Sequence, residues 1–365
     1  MYNSLRAARL IGLNATGVLR QLGVMTLAAA AASLLLLPLP ALPQQTPAQA
    51  APAVPGPGDR GAAIEQAISA QDWNRALSLI DAALQASAAD AWLWSLRGDV
   101  LDRLGRTEEA VIAYERGVTL APQGGSTWNN LCWARIQLGQ WRQARAACVR
   151  AVELRKTMAS TINLGHTYLL DGDSELAYRW YRESVALISS ETELHTGPLA
   201  DFELFAQRGW QIDASTKARR WIQQAYVSLL EANALNDQIV QEYQAARYAE
   251  LLLPAQRALV LREQTLGVEH PLVSTSLNNL ALQYQDMGRY EQALPLIQRA
   301  LSISEKAEGP EHPNTGTSLN NLALVYQAMG RYEQALPLFQ RALAISEKAE
   351  GPEHPSTGTR LNNLA

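Results

Sequence analysis

Apolar and small residues in the last third of the chain recur at three- and four-residue spacing instead of alternating. Leu277, Leu280, Ala281 and Tyr284 form one run, and Ala293, Ile297, Ala300 and Leu301 form a second. That spacing puts each set on one face of a helix, so two amphipathic helices are predicted. Met287-Gly288-Arg289 lies between them, where a glycine takes the left-handed conformation that ends one helix and turns the chain back. The unit is an antiparallel helical hairpin. The stretch from Leu277 to Ser318 then recurs from Leu319 to Arg360 with only six of forty-two positions changed. A fixed period of this length means a unit that cannot bury its apolar face alone, stacked on copies of itself.

The same hydrophobic pattern extends upstream with a shorter period. Trp94, Gly98, Ala110, Tyr114 and Pro122 share one register, with Gly105 at the turn, and Trp128, Leu131, Gly139, Ala144 and Ala151 follow in the next. Leu164, Gly165, Tyr168, Gly172, Ala177 and Tyr181 make a third. This spacing resembles the tetratricopeptide signature, with Arg97 standing where that signature has leucine, Leu277 where it has tryptophan and Ala281 where it has glycine. The forty-two-residue units and their linkers, Glu311-His312-Pro313 and Glu353-His354-Pro355, resemble the longer repeat of kinesin light chains and of many bacterial proteins. The resemblance implies an all-α fold, a right-handed superhelical solenoid of antiparallel hairpins, preceded here by a signal segment and a disordered linker.

Composition divides the chain further. Residues 1–50 carry Arg6, Arg9 and Arg20, no acidic residue, the apolar run Leu22 to Leu37, and Ala48-Gln49-Ala50 as a small-x-small cleavage pattern. A run this short reads as a signal peptide, with a membrane anchor at residues 22–37 as the alternative. The expected location is exported, across an inner membrane and periplasmic, with no membrane contact after cleavage. Residues 51–61 are a Pro/Ala/Gly linker, in which Gly56-Pro57-Gly58-Asp59-Arg60-Gly61 spells a dinucleotide fingerprint without the preceding strand that fingerprint requires. Residues 62–186 are expected to hold about four hairpins of the shorter type, with Ala76, Ile80 and Ala83 on a second helix. Residues 187–234 keep helical periodicity around Phe202, Phe205, Trp210 and Trp221 but lose the signature, which predicts an irregular hairpin. Residues 235–365 resume the forty-two-residue register and stop five residues into a further first helix, so the sequence reads as a shortened array. Pro295 and Pro337 are expected to bend their helices, and Gly316 and Gly358 to delay the start of theirs.

With 47% hydrophobic and 18% charged residues, the chain has enough apolar material for a long core. Without the three arginines of residues 1–50 its formal charge falls from −4 to −7, and no basic patch stands out to neutralise phosphates, so nucleic acid is not an expected partner. No GxSxG, HExxH, CxxC or GxxxxGK[ST] is present; no catalytic role and no cofactor is expected. His270, His312 and His354 recur one repeat apart, too far for a shared metal, and read as helix-start residues.

Two constellations remain. Cys132 and Cys148 lie on the two helices of one hairpin, about equally far from its turn, placed either for a disulfide or as two small packing residues. The second is a series of asparagines just after the first anchor of successive first helices: Asn129, Asn130, Asn163, Asn278, Asn279, Asn320, Asn321, Asn362 and Asn363, with Asn236-Asp237 in the decayed copy. Each amide offers a donor and an acceptor, so such a ladder could hold the backbone of an extended peptide, as in some peptide-binding members of the family it resembles. The competing role is to stabilise the boundary between hairpins. The expected function is an exported scaffold that binds a protein or peptide segment in its concave groove. The alternative is the recognition arm of a longer bacterial protein with an enzymatic or signalling domain beyond residue 365. If the ladder binds peptide, replacing Asn279 and Asn321 by alanine weakens capture and leaves the melting temperature near wild type.

Overall fold

A computed structural model of the protein describes residues 60–242 and 248–364. The export segment, its alternative as an anchor, and nearly all of the linker lie outside the described residues. Among the described residues there is no strand.

The chain divides into two compact units, one ending at Ala88 and one beginning at Ala89. In the first, α1 (Arg60–Ser69) pairs with α2 (Trp73–Ala86), and Ala76, Ile80 and Ala83 are buried along α2 as the periodicity predicts. Asp72 caps α2 through the backbone N–H of Arg75.

The second unit is a run of hairpins, each packed on the next. It begins with α3 (Ala91–Arg103) and α4 (Thr107–Leu120), then α5 (Gly125–Gln137) and α6 (Trp141–Leu154), then α7 (Met158–Leu170) and α8 (Ser174–Val185). The signature's glycine and aromatic explain each other here. A β-carbon on Gly98 would lie 2.4 Å from the ring of Tyr114, and one on Gly165 would lie 2.5 Å from that of Tyr181. At this height the two helices leave no room for a β-carbon, and the aromatic fills the space that glycine leaves.

Beyond α8 come a single turn, α9 (Glu191–Leu194), a π-helical segment (His195–Leu199) and α10 (Ala200–Gln207), which together serve as one first helix. Gly197 and Pro198 lie in the π segment, where proline removes a backbone donor. Next is α11 (Ile212–Glu242), thirty-one residues long. It pairs with α10 through its early residues and with α12 (Tyr248–Leu266) through its later ones. The boundary drawn at residue 234 therefore falls inside a continuous helix.

The forty-two-residue units follow as α13 (Pro271–Asp286) with α14 (Tyr290–Ala307), α15 (Pro313–Ala328) with α16 (Tyr332–Glu350), and α17 (Pro355–Leu364). Gly288, at φ +72°, makes the predicted turn. The expected late helix starts are not found. Proline occupies the first position of α13 and of α15, where its missing donor costs nothing, and the preceding His270 or His312 caps the helix. Gly316 lies inside α15, where a β-carbon would sit 3.2 Å from Ile345, and the equivalent position on α13 is the buried Ser274. Pro295 and Pro337 lie inside α14 and α16, which run on through them.

The His270 cap carries a pH dependence. Nδ1 of His270 accepts the backbone N–H of Leu272 at 3.1 Å, which requires an unprotonated nitrogen. Burial holds its pKa below the ordinary value; Glu183 opposes this, while Lys156 and Arg262 reinforce it. The unfolded chain therefore binds a proton that the folded one resists, so stability is full above about pH 6.5 and falls as the pH drops towards the lower folded value. Melting curves across that window should show the loss, and His270→Asn, which caps without titrating, should flatten it.

Ion pairs repeat with the period. Lys306 meets Glu269 at 2.6 Å and Lys348 meets Glu311 at 3.0 Å, while Arg299 meets Glu263 at 2.6 Å and Arg341 meets Glu305 at 2.8 Å. Exposed pairs of this kind contribute about 0.2–1 kcal/mol each, so apolar burial carries the stack. One position in that apolar layer is misfitted. Gln283 is fully buried with both amide atoms unpartnered, whereas the equivalent Val325 packs with Ala281, Ala293 and Ile297. Gln283→Val is expected to stabilise the array by about 1–3 kcal/mol, read as a rise in the urea midpoint at unchanged slope.

Candidate functional site

The nine asparagines of the predicted ladder divide by environment. Asn163, Asn278, Asn279, Asn320 and Asn321 are buried, and their amides face one another across hairpin boundaries. Asn163 Nδ2 donates to Asn129 Oδ1 at 3.1 Å, Asn321 Nδ2 to Asn278 Oδ1 at 3.3 Å and Asn363 Nδ2 to Asn320 Oδ1 at 2.9 Å. The amides of Asn279 and Asn236 meet at 3.3 Å. The rule is constant: the later asparagine of one hairpin meets the earlier asparagine of the hairpin before it. Asn278 also donates to Ser318 Oγ at 2.9 Å, a second bond across the α13–α15 boundary. These contacts consume donors and acceptors that the sequence reading offered to a peptide.

Asn129 and Asn130 sit differently. On α5 they belong to a stripe with Ser126, Trp133 and Gln137, none of it buried. On α3 the matching stripe of Trp92, Ser95, Asp99 and Asp102 is also unburied. The stripes are joined by polar bonds, since Asn130 Nδ2 donates to Asp99 Oδ1 at 2.9 Å and Gln137 Nε2 to Asp102 Oδ1 at 3.1 Å. Tyr114 donates to the same Asp99 oxygen at 2.8 Å. Partial burial raises the pKa of both aspartates, against the hydrogen bonds from Tyr114 and Asn130 on Asp99 and from Gln137 on Asp102. The surface is polar and aromatic, with carboxylates held in place by amides.

Corresponding positions further along are closed. On α7 the residues Ile162, Asn163, His166 and Leu170 are buried. His166 is enclosed by α10, with Phe202 and Phe205 edge-on at 5.0 and 4.8 Å. Its two ring nitrogens reach Tyr181 Oη at 3.0 Å and Asp201 Oδ2 at 3.2 Å. On α13 and α15 unbroken buried runs extend over 276–283 and 318–325. The α10–α11 turn also reaches back past a hairpin: Arg208 donates to the carbonyl of Gln137, and Trp210 packs edge-on to Trp141 at 5.3 Å. The open surface therefore lies on α3 and α5 and ends at α7.

Sequence reasoning found Asn129 and Asn130 but missed Asp99, Asp102, Trp133 and Gln137. Continuing from Asn129 and Asn130 at helical spacing would have reached Trp133 and Gln137. Asn362 is exposed and Asn363 half-buried on α17. Cys132 and Cys148 face each other in bonding contact, with Cα atoms 5.1 Å apart. Among the described residues no cluster of histidine, cysteine or carboxylate side chains could hold a metal ion, and no helix is long and apolar enough to cross a membrane. A separate open cleft of about 810 Å³ lies between the starts of α8 and α11, beside Tyr178 and Lys217.

Three family models, each described as tetratricopeptide repeat, match this chain: one at residues 273–348 and 315–365, one at 63–125 and one at 158–183. The chain is a tetratricopeptide repeat protein. The hairpins, the glycine–aromatic pairs and the helix order are thus those of tetratricopeptide units. Protein FlbA of Caulobacter vibrioides is 30% identical over 99 residues, 26% of this chain and 17% of the length of FlbA. This chain thus matches well under a fifth of that relative. Two solved structures resemble it at lower identity. A tetratricopeptide repeat protein from Parabacteroides merdae is 13% identical, with 84% of this chain and 98% of the other covered and a TM-score of 0.35. YrrB, described as a tetratricopeptide protein with an unusual peptide-binding site, is 12% identical, with coverage of 78% and 96% and a TM-score of 0.29. Tetratricopeptide repeats make the chain a protein-interaction scaffold.

Proposed function

We propose that this scaffold is exported and holds an extended segment of a partner protein against the first-helix face of α3 and α5. One observation carries the reading: the groove-side stripe is unburied on these two helices and buried on α7, α13 and α15. Trp133 offers an apolar face with a polar edge, and Asn129 and Asn130 keep partly exposed amides able to pair with a peptide backbone. The buried asparagines of the later units set the spacing between hairpins in this reading and do not touch the partner. Export rests on the residue 1–50 pattern, and no catalytic step is assigned.

Trp133→Ala is expected to reduce partner capture at least tenfold, in a titration against the partner recovered by crosslinking in the native cell, with helicity retained. Undiminished capture would remove the groove from the account. A fusion of residues 1–62 to a reporter active only outside the cytoplasm tests export separately, and a silent reporter would contradict it.

A further inference from the structure

Cys132 and Cys148 are sixteen residues apart, one on α5 and one on α6. The same separation joins Gly98 to Tyr114 in the preceding hairpin and Gly165 to Tyr181 in the following one, the pairs whose helices approach so closely that glycine accepts no β-carbon. It joins Ala281 to Ile297 and Ala323 to Phe339 in the later units, each pair sharing one apolar cluster. Every one of these hairpins places a small residue opposite a large one at this position. The α5–α6 hairpin has two small residues there, and their Cα separation of 5.1 Å falls within the range a disulfide spans.

Both cysteines are completely buried. The hairpin is flanked by α4 on one side and α7 on the other, and its turn is covered by Arg208 and Trp210. A thiolate reductant must touch a sulfur in order to attack it. With both cysteines completely buried in the stacked hairpin, that contact is denied.

We propose that Cys132–Cys148 is a sealed covalent staple that replaces the glycine–aromatic contact of the neighbouring hairpins, and that it closes before α5–α6 docks into the stack. Closure rests on the export proposed above: it is thiol–disulfide exchange with a disulfide-bearing oxidant outside the cytoplasm. The two cysteine thiols lose two protons and two electrons and form the S–S bond, and the oxidant's disulfide takes up both and leaves as two thiols. Once the neighbours dock, the bond is out of reach of small reductants.

The test uses the full-length protein recovered from its native host, one portion lysed in concentrated guanidinium with a thiol-blocking reagent and one kept native without it. The expected result is no blocked cysteine, no gain of mass on excess dithiothreitol in native buffer, and a gain of two hydrogens when concentrated guanidinium is added with the reductant. Two blocked thiols at lysis would overturn the staple, and ready reduction in native buffer would overturn the seal. A second arm tests the positional equivalence. The double variant Cys132→Gly/Cys148→Tyr, which rebuilds the neighbours' pair, should melt several degrees above Cys132→Ala/Cys148→Ala. If the two melt together, the equivalence is wrong.

Discussion

Replacing Asn279 and Asn321 together by alanine is expected to lower stability sharply and to leave partner binding at α3–α5 unchanged. Each asparagine is buried at a boundary between hairpins, bonded to the earlier asparagine of the preceding one. Alanine removes one partner from each pair, so that Asn278 Oδ1 and the facing amide atom of Asn236 stay buried without that bond. Stranding a buried polar group costs about 1–3 kcal/mol, about twice the net worth of a typical hydrogen bond. The boundaries lie in tandem, and a repeat array is held by nearest-neighbour interfaces, so the loss is concentrated where the array opens first. Hydrogen exchange should show accelerated opening of α13–α16, with α3–α6 protected as in the wild type. This reverses the expectation from sequence alone, which left the melting temperature near wild type because it assumed free amides. A variant that melts normally would return the ladder to solvent.

Gly165→Ala should be among the most damaging single-methyl changes in the chain. The added carbon would lie 2.5 Å from the Tyr181 ring. That ring has little room to withdraw, being fully buried, bonded through its hydroxyl to His166 at 3.0 Å and packed against Phe202. Overpacking a well-filled core costs about 1–3 kcal/mol, and a fixed ring puts this site at the upper end. Moving Tyr181 also disturbs the His166–Asp201 contact that ties α10 to α7. The α9–α11 region should therefore loosen together with α7–α8, visible as a lower urea midpoint and as earlier exposure of Trp210 and Trp221. A midpoint within error of wild type would mean that the hairpin does not close at this height.

Much of the fold was legible because a hairpin's periodicity is local. Three-four spacing and a glycine at the turn predicted helix, turn and helix wherever the signature survived, and the near-identical copies set the register of the later units. What was illegible depended on partners elsewhere in sequence. Asn321 looks the same whether it faces a peptide or Asn278, since the residue that decides lies forty-three positions away on another copy. The closing of the α7 face could not be read either, because Phe202, Phe205 and Asp201 lie in the stretch where the signature fails. Continuity of α11 across residue 234 was hidden for the opposite reason: one helix serves as second helix to α10 and first helix to α12, and a period-based reading divides it. The histidine caps were seen as helix-start residues, but the effect of Gly316 was misread, because the His312 cap and Pro313 start the helix ahead of it.

Site-specific photocrosslinking in the native cell tests the central claim most directly, with the reactive side chain placed at Asn129 in one strain and, in the other, at Thr317, a half-buried position on the first helix α15 of the later array. The account predicts a discrete adduct with a partner protein from position 129, lost when Trp133→Ala is added, and none from position 317. An adduct from 317 with none from 129 would place the partner on the later array and contradict it.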